Sequence, residues 1–212
     1  VVSAQKADAL AELLRVAEER GSPAIEVEQD FVSTLVSHNL ATQAVVFDYT
    51  GQTLEDSLAK PPLTTELSLL GEHQAQNAAT ALAALDQLQA MGWKISREDV
   101  QDGFSHVKWP TRFEILRKEP PIILDSAHNG DSMYRLRQTL QTYFPHEPFI
   151  LVLGASADKQ LDDILDAILP GADQVITTQS LHPRAMDAFE LAGKAKQHGI
   201  QALAFNRAED KL

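Results

Sequence analysis

Apolar and polar positions along this chain change rhythm near its middle. Leu10, Leu13, Leu14 and Ala17 recur at helical spacing, which predicts a helix that Ser3 caps and Gly21 stops. Val1-Val2 reads as the end of a buried strand, and Ile25–Val27 as a short strand. Residues 31–70 alternate and turn: Ala44–Tyr49 predicts a strand, Thr50-Gly51 a turn and Glu66–Leu70 a second strand. The alanine-rich run Gly71–Met91 predicts the strongest helix, slim enough to pack close to a sheet, with Gly92 ending it. Ser96 is placed to cap a further helix over Arg97–Phe104, with Glu98 and Asp99 near its positive end.

Trp109-Pro110 interrupts this pattern, because proline disfavours helix in the residue before it. A domain boundary is expected there, dividing the chain into residues 1–110 and 111–212. Beyond it, Phe113–Arg117 and Pro121–Asp125 predict two strands, and Ser132–Tyr143 a helix. Strands at Phe149–Leu153, Gln174–Thr178 and Ala202–Phe205 then alternate with helices at Leu161–Leu169 and Asp187–Gln197. Continuous apolar strands separated by helices imply an α/β fold with a mostly parallel sheet covered on both faces. Ligands of such sheets bind at the loops after the strands.

Composition narrows the function classes. The 212 residues carry a net charge of −12, which disfavours nucleic acid as a partner but leaves room for a few convergent cations around a nucleotide. Cysteine is absent, so disulfides and thiolate metal sites are excluded, and a reducing cytoplasm suits the chain. No apolar run approaches the roughly 20 residues that span a bilayer. The opening Val1-Val2-Ser3-Ala4 lacks a signal-peptide pattern and an initiator Met, and predicts a fragment of a longer protein.

Three constellations carry candidate chemistry. In Gly71-Glu72-His73-Gln74-Ala75-Gln76-Asn77 a glycine opens a helix, where free N–H groups favour anions, and His73 and Asn77 share one face. The alternative is a cap with solvated polar residues. In Trp109-Pro110-Thr111-Arg112-Phe113-Glu114 a guanidinium follows a stiffened turn and offers a fork for phosphate oxygens; a surface salt bridge is the alternative. In Ile122-Ile123-Leu124-Asp125-Ser126-Ala127-His128-Asn129 an apolar strand ends in a carboxylate, a common ribose partner, followed by a histidine. Here the alternative is that Asp125 and Asn129 cap the next helix while His128 packs between elements. The loops Leu153–Lys159 and His182-Pro183-Arg184-Ala185 also follow strands, and Arg184 can meet a carboxylate. The former lacks P-loop spacing, and no histidine spacing suggests a metal site.

The ordered runs GEHQAQNAATALAAL, WPTRFE, ILDSAHN, LVLGASADK and HPRA resemble the folylpolyglutamate synthase and dihydrofolate synthase branch of the Mur ligase superfamily, over nearly the whole chain. The resemblance implies the second half of a Mur-ligase-type ATPase domain followed by a truncated Rossmann-like C-terminal domain. It implies ATP contacts from Asn77, Arg112, Asp125 and His128, with Arg112 and His128 the catalytic candidates and Arg184 a substrate-binding candidate. Ser126 and Thr111 stand where the family usually or often has glycine, adding a Cβ at each place. The family's P-loop, Mg²⁺ ligands and modified lysine are expected upstream of Val1.

By the same resemblance the intact protein is a cytoplasmic ATP-dependent ligase, and a monomer. It joins L-glutamate to a folate or dihydropteroate carboxylate through an acyl phosphate, while this stretch alone is inactive. Two other readings stay open: a fragment of a peptidoglycan Mur ligase, and a non-catalytic nucleotide-binding module.

Overall fold

Leu10, Leu13, Leu14 and Ala17 line one side of helix α1 (Ala7–Glu19) in the computed structural model, which describes residues 1–3, 5–52, 54, 56–157 and 160–205. The helix begins differently from the expectation. Its N-cap is Lys6, without a side-chain cap, and the Ser3 hydroxyl instead accepts a hydrogen bond from Gln5 Nε2 at 3.1 Å. Gly21 supplies the stop with φ +62°, a conformation that costs glycine nothing. The two short strands expected next are reduced to one parallel bridge, Val2 to Glu26. The Asp30 carboxylate takes the Glu26 N–H at 3.0 Å, and Val27–Asp30 closes into a single helical turn, α2.

The chain divides into two units, Val1–Leu124 and Asp125–Leu212. In the first, β1 (Phe31–His38), β2 (Gln43–Tyr49) and β3 (Leu63–Leu67) form an antiparallel sheet in that order. The strand β1 was not foreseen. Of its residues only Phe31 is buried, and a bulge between Leu35 and Ser37 breaks its alternation, so it carries no period-two signal. β3 spans Leu63–Leu67 rather than the expected Glu66–Leu70, with Leu63, Thr65 and Leu67 as its inward positions.

Gln43, Val45, Phe47 and Tyr49 point into the core from β2. Helix α3 (Glu72–Ala90) covers that core with Ala75, Ala78, Ala79, Leu82 and Ala83. The small side chains let helix and sheet approach, while Phe47, Leu63 and Leu82 supply bulk, each worth about 1.5–3 kcal/mol when removed from water. Helix α4 (Arg97–His106) opens on a capping box: Asp99 N–H donates to Ser96 Oγ, and Ser96 N–H to the Asp99 carboxylate. The hairpin of β4 (Glu114–Lys118) and β5 (Pro121–Leu124) completes this unit.

The second unit runs α5 (Gly130–Tyr143), β6 (Phe149–Leu153), α6 (Leu161–Ile168), β7 (Ala172–Thr178), α7 (Ala188–Gln197) and β8 (Ala202–Phe205). The three strands are parallel and in sequence order, as the strand–helix alternation predicts. Met133 of α5, Ile164, Leu165 and Ile168 of α6, and Leu191 and Ala195 of α7 share one core with Leu153, Val175 and Ala202. Cover on both faces is not observed among the described residues. The opposite positions Ile150, Val152 and Leu203 are 61%, 65% and 49% exposed, because all three helices serve the same core. No helix among the described residues is long and apolar enough to cross a membrane.

Candidate functional site

Gln43 prepares the start of α3. This side chain is fully buried, and its amide nitrogen donates to the carbonyls of Leu69 and Gly71, both at 2.9 Å. Its oxygen accepts the Gly71 N–H at 3.3 Å. Gly71 caps the helix with φ +108°, where any other residue is strained. One turn on, buried Gln74 accepts a hydrogen bond from Asn77 Nδ2 at 3.2 Å through its amide oxygen, and its nitrogen lies 3.0 Å from His73 Nε2. The exposed Asn77 amide is thereby oriented by a neighbour that is itself fixed in the core.

The opposite wall comes from α4 and the segment after it. The Ser68 hydroxyl donates to the Val107 carbonyl at 2.6 Å, and Ser68 N–H to Phe104 O at 3.1 Å, tying the end of β3 to the end of α4. Between these walls lies a cavity of about 510 Å³, within the size range of small-molecule sites. Leu67, Leu69, Ala78, Phe104 and Val107 form its apolar part; Gln74, Asn77, Trp109 and Arg112 bring the polar groups. The structure thus brings Asn77 and Arg112, far apart in sequence, to one hollow.

Arg112 stands on an unusual turn. Thr111 and Phe113 on either side of it have φ +63° and +46°. The Glu114 carboxylate accepts the Thr111 N–H at 2.8 Å, Phe113 is buried, and the exposed guanidinium lies 6.0 Å from the Trp109 ring centroid. The arginine is directed by backbone shape and an aromatic face.

Asp125 and His128 lie in the second unit. Asp125 does not cap α5; its carboxylate accepts the Ala127 N–H at 2.7 Å and closes a turn after β5. Asn129 caps the helix, exchanging hydrogen bonds with Ser132. His128 is exposed rather than packed between elements, with Nδ1 3.0 Å from Ser126 O. It joins Ala127, Gly154, Ser156, Thr178 and Ser180 around a cavity of about 420 Å³ at the C-terminal ends of β6 and β7. Gly154 lets the two strand ends approach closely, since a Cβ there would lie 3.3 Å from Thr178 O. Gly130 is similarly tight, its Cβ position lying 3.1 Å from Asp163 Cβ and 3.2 Å from Asp163 O.

Arg184 is exposed and does not line that cavity, although its carbonyl accepts the Ala157 N–H at 2.9 Å, tying the two loops. Asp158 and Lys159, the end of the small-residue loop, lie outside the described residues. The positioning residues Gln43, Gln74 and Glu114 were not singled out from sequence. Gln43 and Gln74 had one available signal, a polar side chain on an otherwise inward face.

Residues 111–211 match the family model of the Mur ligase glutamate ligase domain. The chain is 38% identical over 128 residues to a dihydrofolate synthase/folylpolyglutamate synthase of Mycobacterium tuberculosis, covering 59% of this chain and 26% of that protein. It is 30% identical over 135 residues to the protein of the same description from Bacillus subtilis, covering 60% and 31%. Among solved structures, the Mycobacterium tuberculosis folylpolyglutamate synthase complexed with ADP superposes with a TM-score of 0.78 and 26% identity. That superposition covers 95% of this chain and 44% of the solved one, so the chain spans less than half the length of these relatives.

Proposed function

We propose that this chain, which belongs to the Mur ligase family on the branch of the folylpolyglutamate and dihydrofolate synthases, supplies part of the nucleotide site of an ATP-dependent amide ligase. One observation carries this reading: Asn77 and Arg112 line the same cavity, beside Gln74 and Trp109. The hollow fits a nucleotide by chemistry. Its apolar wall suits a flat base, the amides can read a base edge, and the guanidinium fork suits phosphate oxygens. Asp125 is assigned to the sugar hydroxyls and His128 to the nucleotide, following the family motif, and Arg184 to a substrate carboxylate.

In this reading the carboxylate of a folate or dihydropteroate takes the terminal phosphoryl group of ATP. The amino group of L-glutamate then displaces phosphate and forms the amide. Arg112 balances charge on the transferring group. Mg²⁺ would neutralise phosphate charge when bound. Among the described residues no three His, Asp or Glu side chains gather in a group that could hold a metal ion. The functional boundary is proposed at residue 110, next to the start of the family match and inside the first compact unit, which runs to Leu124.

The test is Arg112→Ala in the full-length protein. Loss of one charge-assisted contact is worth about 1.5–3 kcal/mol, so kcat/KM for ATP should fall by about 10- to 100-fold. Arg112→Lys should restore only part of it, because an ammonium lacks the fork. The guanidinium is exposed, so the thermal midpoint should stay within a few degrees. Near-normal ATP kinetics in the alanine variant would remove Arg112 from the site.

A further inference from the structure

His73, Gln74 and Asn77, on the first two turns of α3, make a row of hydrogen bonds with a direction. Asn77 Nδ2 donates to Gln74 Oε1 at 3.2 Å, and Gln74 Nε2 lies 3.0 Å from His73 Nε2. An amide nitrogen only donates, so this imidazole nitrogen accepts. Asn77 thus gives a proton to Gln74, and Gln74 gives one to His73. Turning the Asn77 amide over would set its oxygen against the Gln74 oxygen, two acceptors with no proton between them. Gln74 cannot turn to suit it without setting its own oxygen against the His73 lone pair, and its side chain is buried in the core. The exposed Asn77 amide is therefore held in one sense.

One Nδ2 proton and the Oδ1 oxygen of Asn77 remain for a ligand. Among the side chains lining the cavity only Gln74 and Asn77 carry an acceptor, because Trp109 and Arg112 only donate. The Gln74 oxygen is already engaged, which leaves the Asn77 oxygen to receive an amino group from a base. An adenine edge offers an amino donor beside a ring-nitrogen acceptor and meets the oxygen and N–H of an amide in step. A 6-oxopurine puts an acceptor where the amino group stands and, at N1, a donor where the acceptor stands. A freely turning amide follows that exchange by flipping; a fixed one opposes it. Resting on the nucleotide reading above, we propose that Gln74 is a positioning residue for base specificity. By fixing the sense of the Asn77 amide, it makes the site select 6-aminopurine over 6-oxopurine nucleoside triphosphates.

The probes are ATP and ITP, whose dissociation constants are measured by calorimetry with Mg²⁺ on the full-length protein. The unaltered protein should bind ATP more tightly by about tenfold or more. Gln74→Leu should bring the two affinities within about threefold of each other, chiefly by weakening ATP. Gln74→Glu keeps an acceptor toward Asn77 and should hold the original preference to within about threefold. A purely structural role for Gln74 would weaken both nucleotides alike and leave their ratio unmoved. Equal binding of ATP and ITP by the unaltered protein, an unmoved ratio in Gln74→Leu, or a preference lost as fully in Gln74→Glu would each overturn the proposal. Asn77→Ala separates this from the reading beneath it. If that variant weakens ATP while Gln74→Leu leaves the ratio unmoved, only the positioning role falls; if ATP binding survives Asn77→Ala intact, the base site itself falls. Should Gln74→Leu fail to fold, Gln74→Met, of the same length, is read in the same way. Should neither fold, the preference of the unaltered protein decides.

Discussion

Replacing Thr111 by glycine should stabilise the first unit. Thr111 is β-branched and sits at φ +63°, where its Cβ crowds the carbonyl; the left-handed conformation costs an ordinary residue about 1–2 kcal/mol. Glycine removes that cost but loses about 0.5–1 kcal/mol more backbone entropy on folding. The hydrogen bond from Thr111 N–H to Glu114 comes from the backbone and survives the change. The balance is a gain of about 0.5–1 kcal/mol, or an increase in unfolding midpoint of about 1–4 °C. Both tryptophans, Trp93 and Trp109, belong to the first unit, so fluorescence-detected urea unfolding reports on it selectively. The midpoint should rise with the slope unchanged. Thr111→Val keeps the branched Cβ and should show no gain. A glycine variant less stable than the parent, at equal slope, would refute the strain argument and mean that the threonine side chain holds the turn.

Three further outcomes are expected. Burial pushes the Asp86 carboxyl above its ordinary value of 3.8, although hydrogen bonds from Ser57 and Leu58 N–H pull it down. Its contribution to stability is therefore full below pH 3.8 and is lost as pH rises through the folded value. Urea midpoints of the parent minus those of Asp86→Asn, taken across that window, should fall with rising pH, and a flat difference would contradict this. Asp86→Ala should cost about 2–4 kcal/mol at neutral pH by orphaning two buried donors. Finally, this 212-residue stretch, given ATP, Mg²⁺, glutamate and a folate, should release no ADP; turnover like that of an intact ligase would exclude a partial catalytic unit.

The second unit was the more legible half because continuous apolar strands and amphipathic helices each leave a periodic trace. Its three strands and three helices fall near the segments read from the pattern, and α3 was equally plain through its alanines. The failures have local causes. β1 has one buried residue and a bulge, so its sequence carries no alternation to read. Ser3 is a fitting cap by residue type, yet the helix starts after Lys6, beyond its reach. The open face of the sheet was invisible because Ile150, Val152 and Leu203 are as apolar as the core positions between them. At the site, residue types and motif order pointed to Asn77 and Arg112. Which side chains orient them depends on contacts between residues distant in sequence, such as Gln43 with Gly71, and a one-dimensional pattern does not encode those.

The contact between Gly130 and Asp163 couples the loop bearing His128 to α6 by shape alone. With hydrogen atoms and a carbonyl facing each other at the space of a missing methyl, the first turn of α5 and the first turn of α6 behave as meshed teeth. A methyl group at position 130 would come closer to Asp163 than most side-chain contacts allow. The exposed loop around His128 thus adjoins, at Gly130, a helix whose buried face is Leu161, Ile164, Leu165 and Ile168. A side chain larger than hydrogen at position 130 would press on Asp163 and shift the start of α5, next to His128, by a few tenths of an ångström.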